Sequence, residues 1–320
     1  VIWTAWRMQR TTLLVLLTAF LVGLVSFAVL RHQTLDYIDL LGLRDCLGPD
    51  RSAECAAKTP QFGARFSDLM RAAQMAVLGL PVLLGVFLGA PLFARELEQG
   101  THVLALTQSV SRNRWFGVKT AFALVPAALL AQATAWLLWW WLDVAGWLSP
   151  RARGFFLPSN FGTTGLVLLA YTVFAVALGI LLGMVTRRVV TAMTLTLLLT
   201  TALRFAEEWL RFLLAPAERT LFAVNSPGPE GDRDSWQVGY GYLDARGQEM
   251  GDLSDKLLSC DRTGADPGQC YEKLGAKQQY ADIVPADAYW TVQLVESLVL
   301  FGLAAGLLAL AATLLRRRSL

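Results

Sequence analysis

The residues able to do chemistry are few, and they sit where apolar runs end. One group reads Ala94-Arg95-Glu96-Leu97-Glu98-Gln99-Gly100-Thr101, followed by Gln108-Ser109-Val110-Ser111-Arg112 and Lys119. Charges, a Gly-Thr break, an apolar stretch (Val103, Leu104, Leu106) and Ser111 as an N-cap suit a surface helix that docks in a partner's groove. An ordinary basic loop that only sets membrane orientation has the same composition, and the residues alone leave both readings open. A second group, Met193, Thr196, Thr200, Arg204 and Glu208, recurs every three to four residues and so falls on one helical stripe. Arg204 with Glu208, and Glu207 with Arg211, are spaced for i,i+4 ion pairs. The stripe reads either as structural ion pairs or as the lining of a substrate path. Glu296, in the last apolar run, reads as an interfacial or helix-bonded carboxylate before a proton carrier.

Catalysis by this chain alone is not expected. No Gly-x-x-x-x-Gly-Lys-Ser/Thr loop is present to cradle phosphates, and Gly117-Val118-Lys119-Thr120 lacks both the adjacent Gly-Lys and the preceding strand. The zinc-protease pattern His-Glu-x-x-His is absent. The only histidines, His32 and His102, fall on opposite sides of the expected membrane, so no metal site is expected. No nucleic-acid partner is expected either. Four cysteines form two close pairs, Cys46 with Cys55 and Cys260 with Cys270. Four cysteines allow three connectivities, with the local pairing preferred in an oxidising exterior.

These groups are positioned by six apolar runs. The chain is 55% hydrophobic and 17% charged, with mean hydropathy +0.45, which is too apolar for a soluble domain. Runs of roughly 17–25 uncharged residues can cross a bilayer as helices. The first segment, 1–30, holds an N-terminal stretch with Trp3 and Trp6 and the first span. That stretch reads either as a helix lying in the interface or as a plain extension of the span. Further spans are expected at 72–94, 120–142, 161–186, 189–214 and 289–315. Between them lie 31–71, with the first cysteine pair; the basic segment 95–119; a short connection, 143–160; the turn at Arg187-Arg188; 215–288, with the second pair; and the tail 316–320. The fold expected is an all-α integral membrane protein, with six transmembrane helices and a small, disulfide-containing extracellular region.

Six spans put both termini on one side. The side holding Arg7, Arg10, segment 95–119, Arg187, Arg188 and the tail carries 11 basic and 2 acidic residues. Short basic loops stay inside, so both termini are expected in the cytoplasm of a plasma-membrane protein. The first span is long enough to remain as a helix and has no small-residue cleavage site, so no cleavable signal is expected. Val1 suggests a literally translated GTG start or a trimmed one.

Smaller signals complete the pass. Pro81 and Pro91 are expected kink points, and Trp139-Trp140-Trp141 an outer aromatic belt. Gly85/Gly89, Gly179/Gly183 and Gly302/Gly306 are spaced for close helix approach, within one subunit before between subunits. Trp236, Val238, Tyr240 and Tyr242 alternate ahead of a turn-like 244–247, which suggests a small hairpin.

The order Ala94-Arg-Glu-Leu-Glu98-Gln-Gly-Thr101, then Gln108-Ser-Val-Ser-Arg112 and Lys119, resembles ABC exporter permeases of the type 2 export class, especially their actinobacterial members. An Arg-rich, Lys-poor composition fits the GC-rich genomes of that group. The resemblance implies a membrane subunit whose ATPase is a separate chain, with a second permease chain, identical or paralogous, completing the assembly among membrane lipids. It implies that ATP and Mg²⁺ bind the partner and not this chain. It also implies that Arg95, Glu96, Glu98, Gly100, Thr101, Ser111 and Arg112 belong to a coupling element on the ATPase, and that the fifth span borders the substrate path. Export of an amphipathic drug, lipid or peptide is the function so implied. The rival readings are an ion-gradient-driven carrier using Arg204, Glu208 and Glu296, and a membrane sensor or anchor with an extracellular binding module.

Overall fold

In hydrocarbon no water is available to bond a backbone N–H or C=O, so an apolar run long enough to cross must satisfy its own groups as a helix. The computed structural model describes residues 2–48, 52–100, 111–149, 151–152, 154–214, 216–224, 235–251 and 273–317. Among these, six helices are long and apolar enough to cross a membrane: Arg10–Leu41, Ala53–Glu98, Arg112–Leu148, Val167–Thr186, Val189–Arg211 and Ala286–Arg316. The chain divides into two units. One comprises Val1–Arg153, Pro158–Glu208 and Gln293–Leu320; the other comprises Gly154–Leu157 and Trp209–Val292. Cys260, Cys270 and Thr101 lie outside the described residues.

In the larger unit, helix α1 (Ile2–Leu41) runs without a break from the N-terminal stretch, which favours the plain helix extension there. Helix α2 (Ala53–Leu84) begins at Ser52, whose side chain accepts the Cys55 backbone N–H at 3.2 Å. The expected polar connection 31–71 is therefore mostly helix. Charge at Arg31 and Arg71 ends the bilayer-compatible runs but not the helices. Phe62, Phe66 and Met70 recur every four residues and bury one face of α2 with Ile38 and Tyr37 of α1. The Cys46–Cys55 disulfide, with Cα atoms 5.6 Å apart, closes the hairpin between them.

Past α2 the helix widens into a π segment, Gly85–Gly89, marked by the Ala90 N–H bonding Gly85 C=O at 3.0 Å. Pro91, which has no N–H to donate, then opens helix α3 (Pro91–Glu98). Helix α4 (Arg112–Leu142) carries alanines 123, 127, 131 and 135, all buried. These small side chains let neighbouring helices approach closely. Helix α5 (Val167–Thr186) is central: 78% of its apolar window is buried, against 6% for the first span. Helices α6 (Val189–Leu214) and α7 (Tyr289–Arg317) complete the six.

The glycine pairs locate the tightest packing. A Cβ on Gly89 would lie 2.5 Å from Val176 O, and one on Gly179 would lie 2.5 Å from Gly85 O. Gly85/Gly89 and Gly179/Gly183 thus meet each other inside one chain, whereas Gly302 and Gly306 have open space around them. The tryptophan run divides. Trp136 and Trp139 are exposed, Trp141 is fully buried and donates to Thr34 at 3.0 Å, and Trp140 stacks under the Arg31 guanidinium at 4.4 Å. The belt expected of residues 139–141 is corrected at Trp141, whose ring packs on Phe27 instead of facing out.

The smaller unit holds a three-stranded antiparallel sheet of order β1-β3-β2, with β1 Glu218–Ala223, β2 Trp236–Leu243 and β3 Gln278–Val284. The expected turn follows β2: the Asp244 carboxylate accepts the backbone N–H of Arg246 and of Gln248. The returning arm is brief, a single bridge from Leu243 to Glu249, and the strand that pairs along β2 is β3. A local hairpin is therefore replaced by a long-range ladder, a connection that periodicity alone does not specify.

Candidate functional site

The candidate coupling segment is built on the end of the second span. Helix α3 stops at Gln99, and Gly100 adopts φ +70°, the left-handed position after a helix that glycine takes without a Cβ penalty. On α3, Phe93 and Ala94 are buried. Glu96, one turn beyond Phe93, turns inward with them. Its carboxylate meets Lys119 Nζ of α4 at 2.5 Å, with side chains 12% and 9% exposed. The ammonium lies 4.8 Å from the centre of the Phe93 ring and 5.1 Å from that of Trp115. Removing such charges from water is costly unless pairing and ring contacts offset it. Glu96 therefore ties the second span to the third.

Glu98 makes a different tie. Its carboxylate accepts the backbone N–H of Val189 at 2.9 Å. Val189 is the first residue of α6, so the acid sits where a helix has unpaired N–H groups and a positive dipole end. The preceding turn is held by Arg187 at φ 55°, which caps α5 by donating its N–H to Gly183 C=O. One short helix thus connects to the third span through Glu96, to the fourth through Ala90 and Ala94 against Gly183, and to the fifth through Glu98. Arg95 is exposed on its outer side. Ser111 occupies the N-cap position of α4 with extended backbone, but its side chain makes no capping bond. Arg112 donates to Leu315 C=O at 3.5 Å, and Arg316 donates to Asn113 at 2.9 Å, joining the basic ends of the third and sixth spans.

The stripe on the fifth span is differently disposed. Thr196 and Thr200 are fully buried, and their hydroxyls donate to Ala192 and Thr196 carbonyls of their own helix. The Tyr171 hydroxyl of α5 donates to Thr200 C=O. Met193 packs beside Ala90, Ala94 and Ala192. These positions face the chain's own interior. The opposite face of α6, with Val190, Leu198 and Phe205, is exposed and apolar. Arg204 pairs with Glu207 at 3.4 Å, an i,i+3 contact, rather than with Glu208. A Cβ at Gly162 would overlap the Arg204 guanidinium, so that glycine makes room for it.

Sequence reasoning passed over a fully buried amide. Gln293 of α7 accepts the N–H of Leu166 and of Val167, both at 3.1 Å, and donates to Phe161 C=O at 2.9 Å. It caps α5 from another helix, and Gly165, at φ +67°, leaves room for it. Gln74, also fully buried, donates to Asn160 and accepts from Arg151 at 3.2 Å. A lone Gln within an otherwise apolar run is the one signal that marks both positions.

Residues 14–211 match the family described as ABC-2 membrane transporter related. No curated protein and no solved structure matches the chain. The match covers the first five spans, the π segment and the charged ties of α3, which is more than half of the chain. The protein belongs to the ABC-2 membrane transporter related family and is a multi-pass membrane protein.

Proposed function

We propose that this chain is the permease subunit of an ATP-driven exporter, with a separate ATPase chain and a second permease chain completing the complex. The family typically supplies a non-catalytic membrane subunit and implies association with an ABC ATPase. ATP and Mg²⁺ then belong to the partner. The observation that carries the reading is helix α3, which is anchored to three other spans while its outer side, including Arg95, stays exposed. A push on its exposed end reaches the third span through Glu96–Lys119 and the fifth through Glu98–Val189. The π segment and Pro91 behind it supply the place to bend, as π-bulges and prolines do.

In this reading closure of the ATPases displaces α3, the second span tilts about residues 85–91, and access to a path between permease chains alternates. The cargo is amphipathic, a drug, lipid or peptide moved outward. Arg95 and the segment that follows Gly100 form the contact with the ATPase. Glu96 and Glu98 transmit the movement inward rather than touching the partner. Thr196 and Thr200 serve packing, and the exposed face of α6 is where a path between chains would run.

The test is purification of the tagged chain in mild detergent, with partners identified by mass spectrometry, followed by reconstitution. A stoichiometric ATPase is expected. Glu98→Ala is expected to leave the ATPase bound but to lower its stimulation by the permease several-fold. Absence of an ATPase under several mild conditions would turn the reading toward a gradient-driven carrier or a sensor. Normal stimulation in Glu98→Ala would remove Glu98 from the transmission path.

A further inference from the structure

A cavity of about 150 Å³ opens beside the π segment, between the first, second and third spans, at their basic end. Its origin is local. Gly85 and Gly89 turn one side of the π segment against α5, which leaves Phe87 and Leu88 on the other side. Those two, with Leu13 and Leu16 of α1 and Phe122 of α4, make apolar walls. The cavity is open on one side, and its apolar walls suit a hydrocarbon chain lying against them.

The rim has a different chemistry. Arg95, Glu96 and Lys119 all border the cavity. Lys119 is neutralised by Glu96 at 2.5 Å. Arg95 is exposed, and its charge is left to set the sign of the rim. Arg10 lies three residues before Leu13, on the same side of α1 by helical spacing, and adds a second cation to that end. A ligand that fits both parts carries an anionic head beside a hydrocarbon chain.

We propose that this cavity is a binding site for an anionic phospholipid, with its phosphate on Arg95 and one acyl chain along Leu13, Leu16, Phe87, Leu88 and Phe122. Basic pockets between membrane helices recognise such headgroups by charge, while the walls recognise the chain. Lipid binding here needs neither the ATPase nor the transport cycle, although the site shares Arg95 with the ATPase contact proposed above. A bound lipid here would wedge against the π segment and bear on how far the second span can bend.

The test uses the full chain purified in detergent and exchanged against an equimolar mixture of phosphatidylglycerol and phosphatidylcholine, with retained lipid counted by native mass spectrometry. About a fivefold preference for phosphatidylglycerol is expected, the factor that one basic residue supplies near a membrane surface. Arg95→Gln is expected to lower the preference clearly, leaving only what Arg10 supplies, and Arg95→Lys to keep most of it. Leu13→Trp, which fills the walls, is expected to lower retention of both. Equal retention of the two lipids by the unaltered chain would overturn the proposal. So would an undiminished preference in Arg95→Gln, or retention unchanged by Leu13→Trp. Displacement of the lipid by millimolar inorganic phosphate alone would identify a free-anion site and overturn it as well.

Discussion

The pair Glu96–Lys119 shows how a single residue's environment decides its role. Both side chains are nearly buried and rest against Phe93 and Trp115. Breaking a buried pair by removing one partner strands the other charge, at a cost of about 3–5 kcal/mol, whereas removing both is often close to neutral. Lys119→Met is therefore expected to lower the thermal midpoint in detergent markedly, and Glu96→Gln with Lys119→Met to recover most of the loss. A double variant no better than the single one would mean that the ring contacts, not the pairing, hold this end together. The family resemblance places Glu96 and Glu98 together in one coupling element, whereas in the fold Glu96 is nearly buried against Lys119 and Glu98 is exposed. The distinguishing clue is the three-residue step from Phe93, which puts Glu96 on the buried face. On the fifth span i,i+3 and i,i+4 partners are both within reach of Arg204, and it meets Glu207 rather than Glu208.

At the scale of elements, the glycine pairs make opposite expectations for the same motif. A methyl on Gly89 would press into the Val176 backbone, 2.5 Å from its oxygen. Overpacking of this kind costs about 1–3 kcal/mol or more, because backbone on both sides must move. Gly302→Ala meets nothing within 4 Å and is expected to be neutral in the same melting assay. Comparable losses at both positions would show that Gly302 also packs closely in solution. The sheet carries a pH dependence of definite sign. Arg219 donates to Asp282 at 2.8 and 2.9 Å and holds that carboxyl below the usual aspartate range. A depressed acid contributes stability above its unfolded pKa and loses it as pH falls through the folded one. Protection of β1 and β3 in hydrogen exchange, corrected for the intrinsic rate, is expected to fall below about pH 4, modestly because the pair is half-exposed. Arg219→Gln is expected to remove that dependence; an unchanged acid profile would assign the loss to other groups. Both β2 and its turn were legible from alternation and from Asp244. Strand β3 was not, because its partner lies across 34 intervening residues in sequence, and pairing at that range leaves no local pattern.

For the whole molecule, the apolar runs make the six-span plan legible in the sequence, because the bilayer forces helix on any such run. What they left out was the helix beyond the bilayer: Arg31 to Leu41 and Ala53 to Arg71 continue as α1 and α2, held by Ser52 and the Cys46–Cys55 bridge. Orientation is a separate question, decided by charge rather than by fold. The turn at Arg187-Arg188 belongs to the side with 11 basic and 2 acidic residues. The turn containing Arg246 belongs to the connection between the fifth and sixth spans, on the other side. Both arginines are exposed, so single cysteines at these positions report orientation directly. In intact cells, a membrane-impermeant maleimide is expected to label Arg246→Cys and to reach Arg187→Cys only after permeabilisation. The reverse pattern would put the end of α3 outside the cell. No cytoplasmic ATPase could then reach Arg95, so the same labelling that sets the topology would also decide whether α3 can act as a coupling element.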